Sequence, residues 1–187
     1  MRKIWLITDT HFGHHKIIEL CGRPEDYEEK LFASMAKIPK KDTLIHLGDI
    51  CMGHDSTLHT NWIEPLDCNK ILVKGNHDKK SSSWYLDHGW DFVVQSIVIR
   101  SLGHYIHLSH IPIPQEHLLT NAYNIHGHFH NNAERDTQFK DNPRAGYNPK
   151  VHLRLAVEYT NYQALTLDYV VEHPERFRIG GMDSAQV

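Results

Sequence analysis

Residues 3–11, KIWLITDTH, decide how this chain is read. A short apolar run is followed at once by an acid and a histidine. The run reads as a buried strand over Lys3 to Thr8, and Asp9 and His11 stand just beyond its carboxyl end. The same phrase recurs along the chain. Asp49 follows TLIHLG (43–48), and Asn76, His77 and Asp78 follow ILVKG (71–75). His110 follows YIHLS (105–109), and His128 and His130 follow YNIHG (123–127). In α/β sheets, sites are built at the carboxyl ends of strands. Side chains scattered from position 9 to position 130 could therefore converge.

Working outward, a helix is expected from His14 to Cys21 and a second from Pro24, where the fixed φ of proline suits a first turn and Glu25 and Asp26 sit near its positive end. Tyr27, Leu31, Met35 and Ile38 recur every three or four residues as its apolar face, and Pro39 ends it. Strands are expected at Thr43–Leu47, Lys70–Val73, Phe92–Ile99, Tyr105–Leu108, Ala122–Ile125, Val151–Val157 and Ala164–Leu167, with a helix over Ser56–Leu66. Helices alternate with strands early and strands crowd together late. That predicts a layered α/β fold, a β-sandwich flanked by helices, whose parallel half is extended by antiparallel strands. No repeat or linker divides the chain, and residues 1–187 read as one domain.

Composition narrows the class. A formal net charge of −3 gives no global pull toward nucleic acid or anionic membrane. Three cysteines without CxxC spacing read as reduced thiols of a cytoplasmic protein. No apolar run approaches the roughly 20 residues of a membrane span. Seventeen histidines are many for one domain, and their placement after strands matters more than their number.

Carboxylate, amide oxygen and imidazole, without thiolate, suit Mn, Fe, Zn, Ni or Co better than a structural zinc site. These side chains are more than one ion needs. Two divalent ions sharing a carboxylate would use them all, in a hydrolytic site.

The ordered series Asp9-Thr10-His11, Gly48-Asp49, Gly75-Asn76-His77-Asp78, His110 and Gly127-His128-Phe129-His130 resembles the calcineurin-like metallophosphoesterase superfamily. The stretches DTHFGHHKII and LSHIPIP are similar to those of its small, uncapped bacterial and phage-type members. The resemblance implies that Asp9, His11, Asp49 and His130 hold one ion. Asp49 bridges to a second ion, which Asn76, His110 and His128 complete, with manganese first among the candidate metals. His77 would sit beside the substrate phosphate and Asp78 would orient it. A hydroxide bridging the metals would attack phosphorus, and His77 would stabilise or protonate the leaving group.

Each residue also has a plainer reading. Asp9 could cap a helix, Asn76 could serve a turn, and His110 could be a loop histidine. His128 and His130 alternate on a strand end, and share a face only if the chain bends, which Gly127 would permit. His14 and Arg23 are weaker candidates for substrate contact. His46 and His107 read as core residues, His126 as a neighbour of the site, and His54, His59, His88, His104, His117, His152 and His173 as surface residues.

The expected partner is a small phosphodiester or phosphomonoester, a nucleotide among the candidates, with no membrane and no long nucleic acid. Two other readings compete: a catalytically inactive scaffold of the same fold, and a nuclease acting on oligonucleotides. Residues 131–150, polar and rich in turn formers, are expected to be either a surface connection or a substrate rim. In the rim reading Arg135, Lys140, Arg144 and Lys150 would reach an anion and Tyr147 would stack on a base.

Overall fold

A computed structural model describes residues 2–132 and 146–178. Four early strands, β1 (Ile4–Ile7), β2 (Thr43–His46), β3 (Asn69–Val73) and β4 (Phe92–Val94), run parallel in one sheet. A late strand, β9 (Leu165–Thr166), adds antiparallel to β1, giving the order β4-β3-β2-β1-β9. The second sheet has the order β5-β6-β7-β8, from β5 (Ser96–Ser101), β6 (His104–Ser109), β7 (Ala122–His126) and β8 (His152–Arg154). Only β5 and β6 pair antiparallel there, because a tight hairpin joins them; β6, β7 and β8 are parallel. The expected antiparallel extension is therefore smaller than the strand spacing suggested.

The apolar runs are unbroken because the first sheet is covered on both faces. Side chains alternate across a strand. Leu6, Ile45 and Val73 thus enter the core against Ile106, Leu108, Ile125 and Leu153 of the second sheet. Their neighbours Ile7, Leu44 and Leu72 pack on the other face with Ile17, Tyr27, Leu31, Met35 and Ile63. These come from α1 (Lys16–Cys21), α2 (Tyr27–Met35) and the end of α3 (Asp55–Trp62). Tyr27, Leu31, Met35 and Ile38 are all buried, as their spacing predicts.

The expected strand Phe92–Ile99 is two strands in different sheets. Exposed Gln95 is the corner at which the chain leaves one sheet for the other. The expected strand Val151–Val157 pairs only over β8, after which Leu155, Ala156 and Val157 bury in a turn. Two short helices were not expected: α4 (Ser82–Leu86), capped by the Ser81 hydroxyl, and α5 (Leu167–Glu172), capped by Thr166. Among the described residues no helix is long and apolar enough to cross a membrane.

Candidate metal centre

Every residue of the ordered series stands where a strand ends. The chain leaves β1, β2 and β7 through left-handed backbone: Asp9 (φ 52°), His11 (φ 49°), Asp49 (φ 56°), His128 (φ 72°) and His130 (φ 51°). These are five of the nine described non-glycine residues with positive φ, a conformation that costs energy and concentrates at functional sites. The bend in Gly127-His128-Phe129-His130 is therefore carried by the two histidines themselves. Gly127, whose φ is not positive, has a different duty: a Cβ there would stand 2.1 Å from Thr8 Oγ1 and 2.2 Å from Asp9 Oδ2. Gly75 is bare for the same reason, since its Cβ would lie 2.2 Å from Asp49 Oδ1.

Among the described residues three groups of potential ligands form: a third sets Cys21 beside His130 and Glu158, and two lie in these loops, Asp9 with His11 and His130, and Asp49 with His110 and His128. Within each, the donor atoms lie within 4.8 Å of one another. Asp49 Oδ2 joins the two loop groups, 3.2 Å from His110 Nε2 and 3.6 Å from His11 Nε2. Asn76 Oδ1 lies 2.9 Å from His110 Nε2 and extends the second group.

The electrostatics suit cations. His11 is 3% exposed, and neither of its buried ring nitrogens has a hydrogen-bond partner. Buried polar atoms are rarely left unsatisfied, and an imidazole coordinating an ion would be satisfied. Burial, with His130 beside it, holds the His11 pKa well below its ordinary value, so the ring is neutral as coordination requires. Burial would raise the Asp49 pKa, but hydrogen bonds from His110 and the His77 amide hold it well below the carboxylate range. A carboxylate–imidazole set without thiolate, holding an unpartnered buried imidazole, fits divalent ions of the Mn-to-Zn series.

His77 is at the mouth. Its backbone N–H donates to Asp49 Oδ1 at 2.8 Å, while its side chain is 42% exposed with Nε2 3.9 Å from Asp49 Oδ2. Asp78 does not hold the His77 ring. Its buried carboxylate accepts the backbone N–H groups of Asp49, Ile50 and Gly75, tying the loops after β2 and β3 together.

Arg23 is not open to substrate either. Its side chain is buried, donates to Glu158 Oε1 at 2.7 and 2.9 Å, and donates to the carbonyls of Asp9 and Thr10. His14 is half-buried and lines the cleft, its ring centroid 5.5 Å from that of His11. Glu158, which no motif marked, accepts from His130 Nδ1 at 3.2 Å.

The remaining histidines divide by burial. His46 is fully buried: Nδ1 accepts from the Gly48 N–H, which leaves Nε2–H to donate to Thr10, whose hydroxyl donates to the Ile50 carbonyl. Burial pushes its pKa down to about 3, as befits a core residue. His126 beside the site is also buried, with Nδ1 2.9 Å from the Gly127 carbonyl. His59 and His152, expected at the surface, are buried instead, paired with the Asp55 and Ile113 carbonyls.

Of the expected rim, residues 133–145, with Arg135, Lys140 and Arg144, lie outside the described residues. Asn131 donates to the Cys21 carbonyl at 2.7 Å, Asn132 lines the cleft, and Lys150 is exposed. Tyr147 stacks on His152 with centroids 4.4 Å apart, so its ring is used inside the protein.

The calcineurin-like phosphoesterase family matches residues 2–156, and the chain belongs to it. It is 30% identical over 185 residues to an uncharacterised protein of Methanocaldococcus jannaschii, covering 96% of this chain and 95% of that one. It is 35% identical over 85 residues to the gene 66 protein of a mycobacterium phage, covering 42% of this chain and 41% of that one. A solved protein of unknown function from Aquifex aeolicus superposes with a TM-score of 0.70 at 24% identity, covering 92% of this chain and 99% of that one. This last likeness speaks to the fold alone. The family uses divalent metals, and the two histidine–carboxylate groups in the loops are candidate sites for them.

Proposed function

We propose that this protein is a two-metal phosphoesterase that hydrolyses a small, accessible phosphate ester. The observation that carries the reading is the placement of Asp49 Oδ2, within 3.6 Å of both His11 and His110 and so common to the two ligand groups. Asp9, His11, Asp49 and His130 would hold one ion, and Asp49, Asn76, His110 and His128 the other. Manganese is the first ion to test, with Fe, Zn, Ni and Co compatible with the same donors. Bound there, such ions would polarise phosphate oxygens and lower the pKa of water from 15.7 toward about 7.

The chain's own residues supply position and a proton. His77 is anchored by its backbone to Asp49, and its partly exposed ring stands at the mouth with Nε2 3.9 Å from Asp49 Oδ2, where it can donate to a phosphate oxygen or to the leaving oxygen. His14 stands in the same cleft and is a second candidate for contact with substrate. The test is to strip the protein with chelator, reload it with Mn²⁺ and assay chromogenic mono- and diesters. Turnover should follow the metal. Absence of turnover with every compatible ion would overturn the reading and favour a scaffold.

A further inference from the structure

Two recesses meet at Asn76. One is the cleft of about 250 Å³ over the ligands, walled on its far side by Ile17, Leu20 and Cys21 of α1. The other, about 360 Å³, lies beside His110 and is lined by Lys74, Gln95, Ser96 and Ile111. Asp49 and His128 face the first recess and His110 the second, so the same ligand group borders both. A phosphorus atom held at that group has room for a substituent on either side of Asn76.

A phosphomonoester carries one substituent and would leave one recess to water. A phosphodiester carries two. We infer that the protein is a phosphodiesterase, seating one ester substituent against Ile17 and Leu20 and the other beside Gln95 and Ser96; this rests on the phosphoesterase reading above. Leu20 is 73% exposed at the rim of its recess, an apolar surface that a ring-bearing leaving group would cover. The second recess is the less polar of the two, with Ile111 and Ile113 in its lining and exposed Gln95 and Ser96 at the corner where the chain changes sheets. Both recesses sit near or below the lower end of the roughly 300–1,000 Å³ range of small-molecule pockets, so each suits one ring-sized group. In the reaction, oxygen from water joins phosphorus and one P–O ester bond breaks. The proton ends on the leaving oxygen, giving an alcohol and a phosphomonoester.

Three esters with the same leaving group isolate the second substituent: bis(p-nitrophenyl) phosphate, methyl p-nitrophenyl phosphate and p-nitrophenyl phosphate. The Mn²⁺-loaded protein should show kcat/KM falling in that order, with the monoester at least tenfold below the methyl diester. Ser96→Trp, which fills the second recess, should cut the aryl-to-methyl ratio about tenfold. Gln95→Trp, on the same exposed corner, serves if the first variant does not fold. A monoester hydrolysed as well as the diesters, or an aryl-to-methyl ratio untouched by both substitutions, would overturn the diester assignment alone. Hydrolysis of none of the three would overturn the phosphoesterase reading itself.

Discussion

Glu158 Oε1 lies 3.2 Å from His130 Nδ1, while the other ring nitrogen lies 3.6 Å from Asp9 Oδ1. The ring is thus held between two acids. With Nδ1–H donated to Glu158, the Nε2 lone pair faces the ligand group, the arrangement by which outer carboxylates fix metal-binding histidines. The same Glu158 oxygen takes two N–H groups of Arg23, whose guanidinium also holds the carbonyls of Asp9 and Thr10. Burial would raise the Glu158 pKa, but His130 and Arg23 outweigh it and bring it down to about 2.

From this contact, Glu158→Gln should keep the fold but lower affinity for the ion at Asp9, His11 and His130 by about 10–100-fold. Competition against a metal-binding dye would measure it. Unchanged affinity would mean that the contact with Glu158 does not tune the ligand.

Among the described residues, Asp49 is the one carboxylate within 4 Å of His11, His77 and His110 together. Asp49→Ala should abolish turnover and bring metal content below two ions per chain. Elemental analysis that returns the wild-type stoichiometry would count against a shared ligand at this position.

His77→Ala should separate binding from chemistry. Its ring is in neither ligand group, so both ions should remain while kcat drops about 10²–10⁴-fold, the usual worth of a general acid. The loss should shrink for nitrophenolate, which leaves without a proton. Equal losses for good and poor leaving groups would argue against proton donation.

The pair Asp49–His110 predicts opposite pH trends for stability and metal binding. Burial alone would lower the His110 pKa, but the hydrogen bond to Asp49 and the charges of Asp9 and Asp49 lift it from 6.5 to about 9. A raised folded pKa contributes stability that is whole below pH 6.5 and lost as pH rises through about 9. Coordination needs the neutral ring, so metal loading in that window should release the proton. The urea midpoint of the metal-free protein should therefore fall across the interval while metal affinity rises. Titration calorimetry in buffers of different ionisation enthalpy would count the released protons. A count of zero would show that His110 is already neutral there.

Much of the site was legible because each candidate ligand directly follows an apolar run, and the parallel sheet forces the ends of β1, β2 and β3 to one side. The helix over Tyr27 to Met35 was legible for an equally local reason, its 3.6-residue period. What escaped depends on contacts between distant segments. Nothing near Glu158 says that a turn will bury it against Arg23, 135 positions away. The run from Phe92 to Ile99 is apolar on either side of Gln95 and Ser96, and nothing local says that its halves belong to different sheets. His59 and His152 look like surface histidines until the carbonyls of Asp55 and Ile113 are seen to pair with them. Helices α4 and α5 did carry a local signal, the capping hydroxyls of Ser81 and Thr166.

Gly127 gives the sharpest separation between backbone freedom and space. Its φ is one that other residues adopt, so backbone conformation alone would tolerate alanine. Space would not. The new Cβ would meet Asp9 Oδ2, which accepts from the Thr8 hydroxyl at 2.7 Å and from the His128 N–H at 3.0 Å, and whose carboxylate is locked by those bonds. Relief requires the loop after β7 to move away from Asp9, taking His128 and His130 with it. Overpacking of this kind costs roughly 1–3 kcal/mol. Gly22, at the end of α1, is the opposite case: its φ is +64° and a Cβ there would meet no atom within 4 Å. Alanine there should cost only the left-handed strain, about 1 kcal/mol. Gly127→Ala should therefore lower Tm at least as much as Gly22→Ala and, unlike it, lose at least one of the two ions. If both alanine variants keep full metal content, the close approach of Gly127 to Asp9 is not what sets the ligand geometry.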